Sequence, residues 1–488
     1  MNPDTVNTLT DLELPLPGRV ADKPHEECGV IAIYSPGGTE TAQMVFSGLL
    51  ALQHRGHEAA GIAVSDGRRV RMHKDVGLLS QIFTPAALGS LTGCHAIGHT
   101  RYSTIGASSA RNAQPFLVET KHGPIALAHN GSLVNAAELR NQLLQRGSAL
   151  TAASDTEVMT LMLAAATGST WEERLENTMP LWQGAYSLVV LSADGFLAAR
   201  DPWGFRPLSI GRTVDRGWAA ASETCALQSL GCTGITEVES GEIAVVRGEE
   251  ISRRQTTAAP GGPARCSFEF VYFSRADSVW DGQRVDEVRQ KLGEQLAIES
   301  PVAADVVVPV PDSSVPAAIG YARQSGVPFN DDFIKNRSMG RTFIEPTQSL
   351  REHHVSMKFN VLAANFAGRR VIVIDDSLVR GTTSAQLIKL VRDAGAAEVH
   401  LRIASPRVLH PCHMGVDMGT YEELLAARFD AESLRQHVGC DTLAFLSVEG
   451  MMAAIGKTSG YCTACFTGKY PIDISGAAPK ETFEGAAV

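Results

Sequence analysis

In the first half of the chain, short apolar or β-branched runs sit between Gly, Asp and Ser positions. Gly29–Tyr34, Ile62–Val64, Ile125–His129, Ser187–Leu191 and Ile243–Val246 each predict a strand that ends in a turn. Apolar positions recur at helical spacing in Ala136–Leu144 and Asp155–Ala166. Helices scattered among short strands predict an α+β domain with much antiparallel sheet. Past residue 285 the rhythm changes. The helical stretches Val285–Ala297, Val315–Ser325 and Thr383–Ala394 alternate with the apolar runs Asp305–Val310, Arg370–Ile374 and Glu398–Ala404. Unbroken apolar runs suit strands buried on both faces, so this half predicts an α/β domain with a mainly parallel sheet. The Pro- and Gly-containing segment Ala258–Ala264 marks the crossing between them. The expected organisation is a leader 1–27, domains 28–260 and 261–472, and a disordered tail 473–488 rich in Ala, Gly and Glu.

With 488 residues the chain has room for two large domains. A net charge of −10 argues against a nucleic-acid-binding face but leaves room for local anion pockets. No apolar run approaches the roughly 18 residues of a membrane span. Residues 1–27 lack the charged start and apolar centre of a secretory signal, so a cytoplasmic protein without membrane partners is expected. Nine cysteines in such a chain do not make a disulfide framework.

The densest chemistry lies in Val371-Ile-Val-Ile-Asp-Asp-Ser-Leu-Val-Arg-Gly-Thr-Thr-Ser-Ala385. A strand runs into paired carboxylates, then a small-residue turn, then a helix. Gly381 and the hydroxyl residues Thr382, Thr383 and Ser384 let backbone N–H groups approach a phosphate at a helix start. Asp375 and Asp376 suit ribose hydroxyls or hydrated Mg²⁺. This segment resembles the phosphoribosyl pyrophosphate (PRPP) loop of type I phosphoribosyltransferases along its whole length. The resemblance implies PRPP binding by Asp375, Asp376, Ser377, Arg380, Gly381, Thr382, Thr383 and Ser384. It also implies Mg²⁺ near Ser313, Asp375 and Asp376. Val310–Ser314 offers a hydroxyl to the same site, and the basic Lys335–Pro346 suits a closing lid.

Near the start, Cys28 opens the first strand. Gln53–Glu58, Gly98–Thr104, His129-Asn130-Gly131 and Ser154–Glu157 follow in order. Together they resemble the glutaminase domain of N-terminal-nucleophile (class II) amidotransferases over residues 28–250. That likeness implies antiparallel sheets sandwiched by helices, and Cys28 as the nucleophile with its own α-amine as proton acceptor. It implies an oxyanion hole from the Asn130 side chain and the Gly131 N–H. Arg101 would pair with the glutamine α-carboxylate and Asp155 with its α-ammonium. Cys28 is internal as encoded, so this chemistry requires cleavage between Glu27 and Cys28.

Cys462 and Cys465 are close in sequence, while Cys266 and Cys412 are distant; spacing alone leaves [4Fe–4S], Zn²⁺ and free thiols open. Both halves together resemble the glutamine PRPP amidotransferases. One branch of that family combines a propeptide with a [4Fe–4S] cluster, and this sequence has the leader and all four cysteines. The family further implies glutamine and PRPP as substrates, purine nucleotides as feedback inhibitors and a homotetramer. The rival readings are a class II glutaminase serving another acceptor domain, and a PRPP-binding regulator that has lost catalysis.

Overall fold

Side chains of the strand Gly29–Tyr34 divide between two cores. Ile31 and Ile33 pack under helices, while Val30 and Ala32 face the opposite way. The computed structural model describes residues 28–102, 109–336 and 359–477. In its first half a seven-stranded sheet and a six-stranded sheet lie face to face, and every pairing within them is antiparallel. The core between them is built largely from small residues: Val30, Ala32, Ala63, Ala126, Ala128 and Ala198. Such residues let two sheets approach closely. The outer faces are covered by helices. Thr41–Ala51 and Thr224–Ser229 cover the first sheet, and Ala136–Gln145, Asp155–Ala165 and Trp171–Thr178 cover the second. This is the helix–sheet–sheet–helix layering expected of the first domain.

The second half carries four parallel strands in the order Val306–Pro309, Arg370–Asp375, Glu398–Ile403, Thr442–Phe445. Val371 and Val373 enter one core, Ile372 and Ile374 the other. Burial on both faces is why this strand reads as an unbroken apolar run.

Most expected elements occur within a residue or two of their sequence limits. Three differences stand out. The strand expected at Ile125–His129 continues to Leu133, because Asn130–Leu133 pair with Gly184–Ser187. Thr442–Phe445, read as part of no element, becomes the fourth parallel strand. Within the expected tail, Ile474 and Ala477 pack on a small core with Val134, Ala185 and Phe205. Among the described residues no helix is long and apolar enough to cross a membrane. The leader 1–27, the lid from residue 337 and the tail from residue 478 lie outside the described residues.

Candidate active sites and the thiol cluster between them

The first site grows from sheet register. Gly29 lies opposite Thr100 on the last paired rung, and Cys28 and Arg101 are the residues next to that rung in the chain. Cys28 is buried, and its Sγ–H points to Tyr102 O at 3.7 Å. The turn after Gln53–Arg55 closes on the same rung: a Cβ on Gly56 would lie 2.7 Å from the Arg101 N. The second sheet supplies Asn130 and Gly131. His99 Nε2 donates to His129 O at 3.1 Å and ties the sheets together one residue before Asn130. Burial, with Arg101 nearby, holds the His99 pKa well below its usual value, so this ring is neutral. Asn130 is 1% exposed, and its Nδ2 has no hydrogen-bond partner among the described residues. A buried amide donor left unpaired costs about 1–3 kcal/mol, which a bound acceptor would relieve.

Asp155 opens the helix Asp155–Ala165, whose start is capped by Ser154 Oγ accepting from Thr156 N at 3.2 Å. Its Oδ2 accepts from Leu133 N at 3.1 Å, and Oδ1 lies 3.8 Å from His129 Nδ1. Register and hydrogen bonds therefore gather Cys28, Arg101, Asn130, Gly131 and Asp155 at one end of the sandwich. His129 escaped the sequence reading as a functional residue. It donates from Nε2 to Ala185 O at 3.2 Å and faces Thr156 Oγ1 at 3.4 Å, between the asparagine and the aspartate.

The second site lies at the carboxyl end of the parallel sheet, where open α/β sheets bind ligands. Asp375 and Asp376 are buried and ringed by hydroxyls. Ser314 Oγ donates to Asp375 Oδ1 at 3.2 Å, Ser377 Oγ to Asp376 Oδ1 at 2.9 Å, and Ser313 Oγ to Asp376 Oδ2. Ser384 Oγ lies 3.5 Å from Asp375 Oδ2. Ser314, not singled out by the sequence, bridges both carboxylates. Arg380 points to Glu423 Oε2 at 3.2 Å and Asp417 O at 3.3 Å. Lys335, first residue of the expected lid, pairs with Asp312. Gly381 stands at φ +76° directly before the helix Thr382–Asp393, and a Cβ there would lie 2.2 Å from Leu425 Cδ2. Gly381→Ala is expected to cost about 1–3 kcal/mol in backbone strain alone and to push the turn off Leu425. Steady-state kinetics should show the PRPP KM rising roughly tenfold, with glutamine hydrolysis retained.

Between the sites, Cys266, Cys412, Cys462 and Cys465 line one cavity with Phe205, Phe268 and Tyr470. Strands Arg265–Cys266 and Tyr461–Cys462 pair in parallel and set two thiols side by side. Burial, reinforced by the neighbouring thiols, pushes the Cys462 and Cys465 pKa values up. Among the described residues no three Cys, His, Asp or Glu side chains converge on a single-ion position. Cys225, Cys232 and Cys440 are buried thiols, and Cys94 is half-buried.

A buried ionic network joins the domains next to this cavity. Arg55 pairs with Glu223 through Nε and with Glu269 through an NH2 contact of 2.6 Å. Arg206 lies 3.7 Å from the other Glu269 oxygen. Burial alone would raise the Glu223 pKa, but Arg55 and His54 outweigh it and hold this carboxyl well below the usual range.

Residues 99–229 match a family described as glutamine amidotransferase domain, and residues 283–404 one described as phosphoribosyl transferase domain. The amidophosphoribosyltransferase of Synechococcus elongatus is 46% identical over 478 residues, 97% of this chain and 96% of that protein. That of Bacillus subtilis is 45% identical over 456 residues, covering 92% and 95%. The solved structure of the B. subtilis glutamine PRPP amidotransferase, complexed with ADP and GMP, superposes with a TM-score of 0.86 at 43% identity, covering 93% of this chain and 99% of that one. Another, an allosteric regulatory enzyme of purine biosynthesis, gives 0.88 at 43% identity with the same coverage. Matched along nearly its whole length at such identity, this chain belongs to the amidophosphoribosyltransferase family, whose enzymes use glutamine in the first step of purine biosynthesis.

Proposed function

We propose that the two sites divide the reaction PRPP + glutamine + water → 5-phosphoribosylamine + glutamate + pyrophosphate between them. The Cys28 thiolate attacks the glutamine amide carbon. The C–N bond breaks as the Cys28 α-amine passes a proton to the leaving ammonia, and water then cleaves the thioester to glutamate. Asn130 Nδ2 and the Gly131 N–H take the developing oxyanion, Arg101 the α-carboxylate and Asp155 the α-ammonium. The observation that carries this reading is the buried Asn130 amide, whose Nδ2 has no partner among the described residues. Ammonia passes within the protein to C1 of PRPP, where the C1–O bond breaks and pyrophosphate leaves. Asp375 and Asp376 hold the ribose hydroxyls. The Gly381–Ser384 turn holds the 5-phosphate.

Mg²⁺ on the pyrophosphate would neutralise its developing charge. Ser313, Asp375 and Asp376 are hard oxygen donors of the right kind to orient it, directly or through water. For the thiols, four soft sulfur donors lining one cavity are of the right kind and number to hold a [4Fe–4S] cluster. Its role would be structural, because neither half-reaction moves electrons. By the same family reading the enzyme loses residues 1–27 on maturation, works in the cytoplasm as a homotetramer, and is inhibited by purine nucleotides. The solved B. subtilis structure with ADP and GMP supports the last point.

An assay of pyrophosphate release from PRPP tests the whole. Asp375→Asn should lose glutamine-dependent and ammonia-dependent synthesis alike while still hydrolysing glutamine. Synthesis that survives this change would refute the assignment of the acidic pair. Edman sequencing of active enzyme should begin at Cys28, and iron and sulfide analysis should approach four of each per chain.

A further inference from the structure

The loop Cys412–Met418 belongs to the second domain by sequence, yet it ends against the first site. Gly415, at φ +95°, packs backbone to backbone on Gly131: a Cβ there would lie 2.8 Å from the Gly131 carbonyl carbon and 3.0 Å from its Cα. Its neighbour Met414 is buried with Val134 and Ala185. Ala185 underlies the same glycine, since a Cβ on Gly131 would meet Ala185 O at 2.0 Å. Along this stretch, among the described residues, the strand Ile125–Leu133 pairs on one edge only. Phe116–Val118 reaches Leu127 and no further, while Gly184–Leu191 continues to Leu133. The loop thus supplies support that the sheet does not.

The loop is itself fastened. Met414 O accepts from Arg206 Nε at 3.2 Å and from a second Arg206 nitrogen at 2.8 Å. Cys412 N donates to Met418 O at 2.8 Å, and Met414 N approaches Cys412 Sγ at 3.4 Å, which curls the loop tightly. Arg206 is completely buried on the far side of the turn that begins at Asp201.

We infer that the Met414–Gly415 segment, hung from Arg206, is a positioning element for the oxyanion hole, and that Gly415 and Arg206 are positioning residues for glutamine hydrolysis. The inference rests on the reading of Asn130 and Gly131 as oxyanion donors. Such donors act only when held within a few tenths of an ångström of the developing charge. Gly131 has no side chain to lock it, so the backbone packed on it must do so.

The test is steady-state kinetics of the mature enzyme with Gly415→Ala, alongside Asn130→Ala. Gly415→Ala should lower the glutamine-dependent kcat about tenfold or more, with the glutamine KM changed by less than about threefold. Ammonia-dependent synthesis, iron per chain and the visible absorbance should stay at the wild-type level. Arg206→Lys, which keeps the charge beside Glu269 but surrenders one N–H to Met414 O, should show the same split more weakly in its kinetics. It is the informative variant if Gly415→Ala does not fold. Unchanged glutamine kcat in Gly415→Ala, or in Arg206→Lys where Gly415→Ala does not fold, would overturn the proposal. So would an equal loss of ammonia-dependent synthesis in Gly415→Ala, because the loop would then support the whole chain rather than this site. If Asn130→Ala keeps full glutamine turnover, the oxyanion reading itself falls. If Asn130→Ala is impaired and Gly415→Ala is not, only the role of the loop falls.

Discussion

Cys28→Ala is expected to abolish glutamine-dependent synthesis, by roughly 10⁴-fold or more in kcat, since it removes the thiol proposed to attack the amide. Ammonia-dependent synthesis should remain within about twofold of the unmodified enzyme. The reason is spatial. Cys28 belongs to the end of the antiparallel sandwich, while Asp375 and Asp376 end a strand of a separate parallel sheet. The missing sulfur leaves only a small gap beside Tyr102 O, too small to disturb the second sheet. Parallel assays with glutamine and with ammonium chloride at high pH decide it. Loss of both activities would make Cys28 a structural residue.

The second large effect is on stability. Arg55→Met should cost about 3–5 kcal/mol, because it strands two carboxylates that have no route to water. Glu223 and Glu269 are both essentially unexposed, and Arg55 is the cation between them. His54 at 2.6 Å from Glu223, with Arg206 at 3.7 Å and Ser274 at 2.5 Å from Glu269, softens the loss without neutralising it. The apparent Tm should fall by several degrees. Adding Glu269→Gln should recover little of it, because the buried Arg206 guanidinium 3.7 Å away then loses its carboxylate. The linkage has a definite sign. The Glu223 carboxyl is held below its ordinary value of 4.5, so its contribution is complete above that pH and is lost as the pH falls below it. Arg55→Met should flatten this acid limb. A variant with unchanged Tm and unchanged acid sensitivity would show that the network adds nothing net to folding.

Different parts of the molecule were legible in the sequence to different degrees. The PRPP loop was legible because strand, carboxylates, glycine and helix start are consecutive residues, 371–385, and local chain geometry alone brings them together. Cys28, Arg101, Asn130 and Asp155 were legible only as an ordered set of motifs resembling a family. Spacing did not say that the strand after Cys28 pairs with the strand that ends at Arg101. Ser314 was passed over in favour of Ser313, since the two hydroxyls differ only in which carboxylates the turn lets them reach. Arg55 sat in a noted motif without a role, because its partners Glu223 and Glu269 lie 168 and 214 residues away.

The sequence by itself determined the two domain types, the strand and helix order, and the residue chemistry of both sites. These follow from hydrophobic period, turn residues and side-chain type, all of which act over a few neighbours in the chain. Tertiary structure decided the long-range pairings: thiols 266, 412, 462 and 465 around one cavity, Arg55 against Glu269, and Gly415 against Gly131. Those contacts depend on how the two domains dock. No local propensity encodes that docking, because a residue's period and type are the same whether its distant partner is present or not.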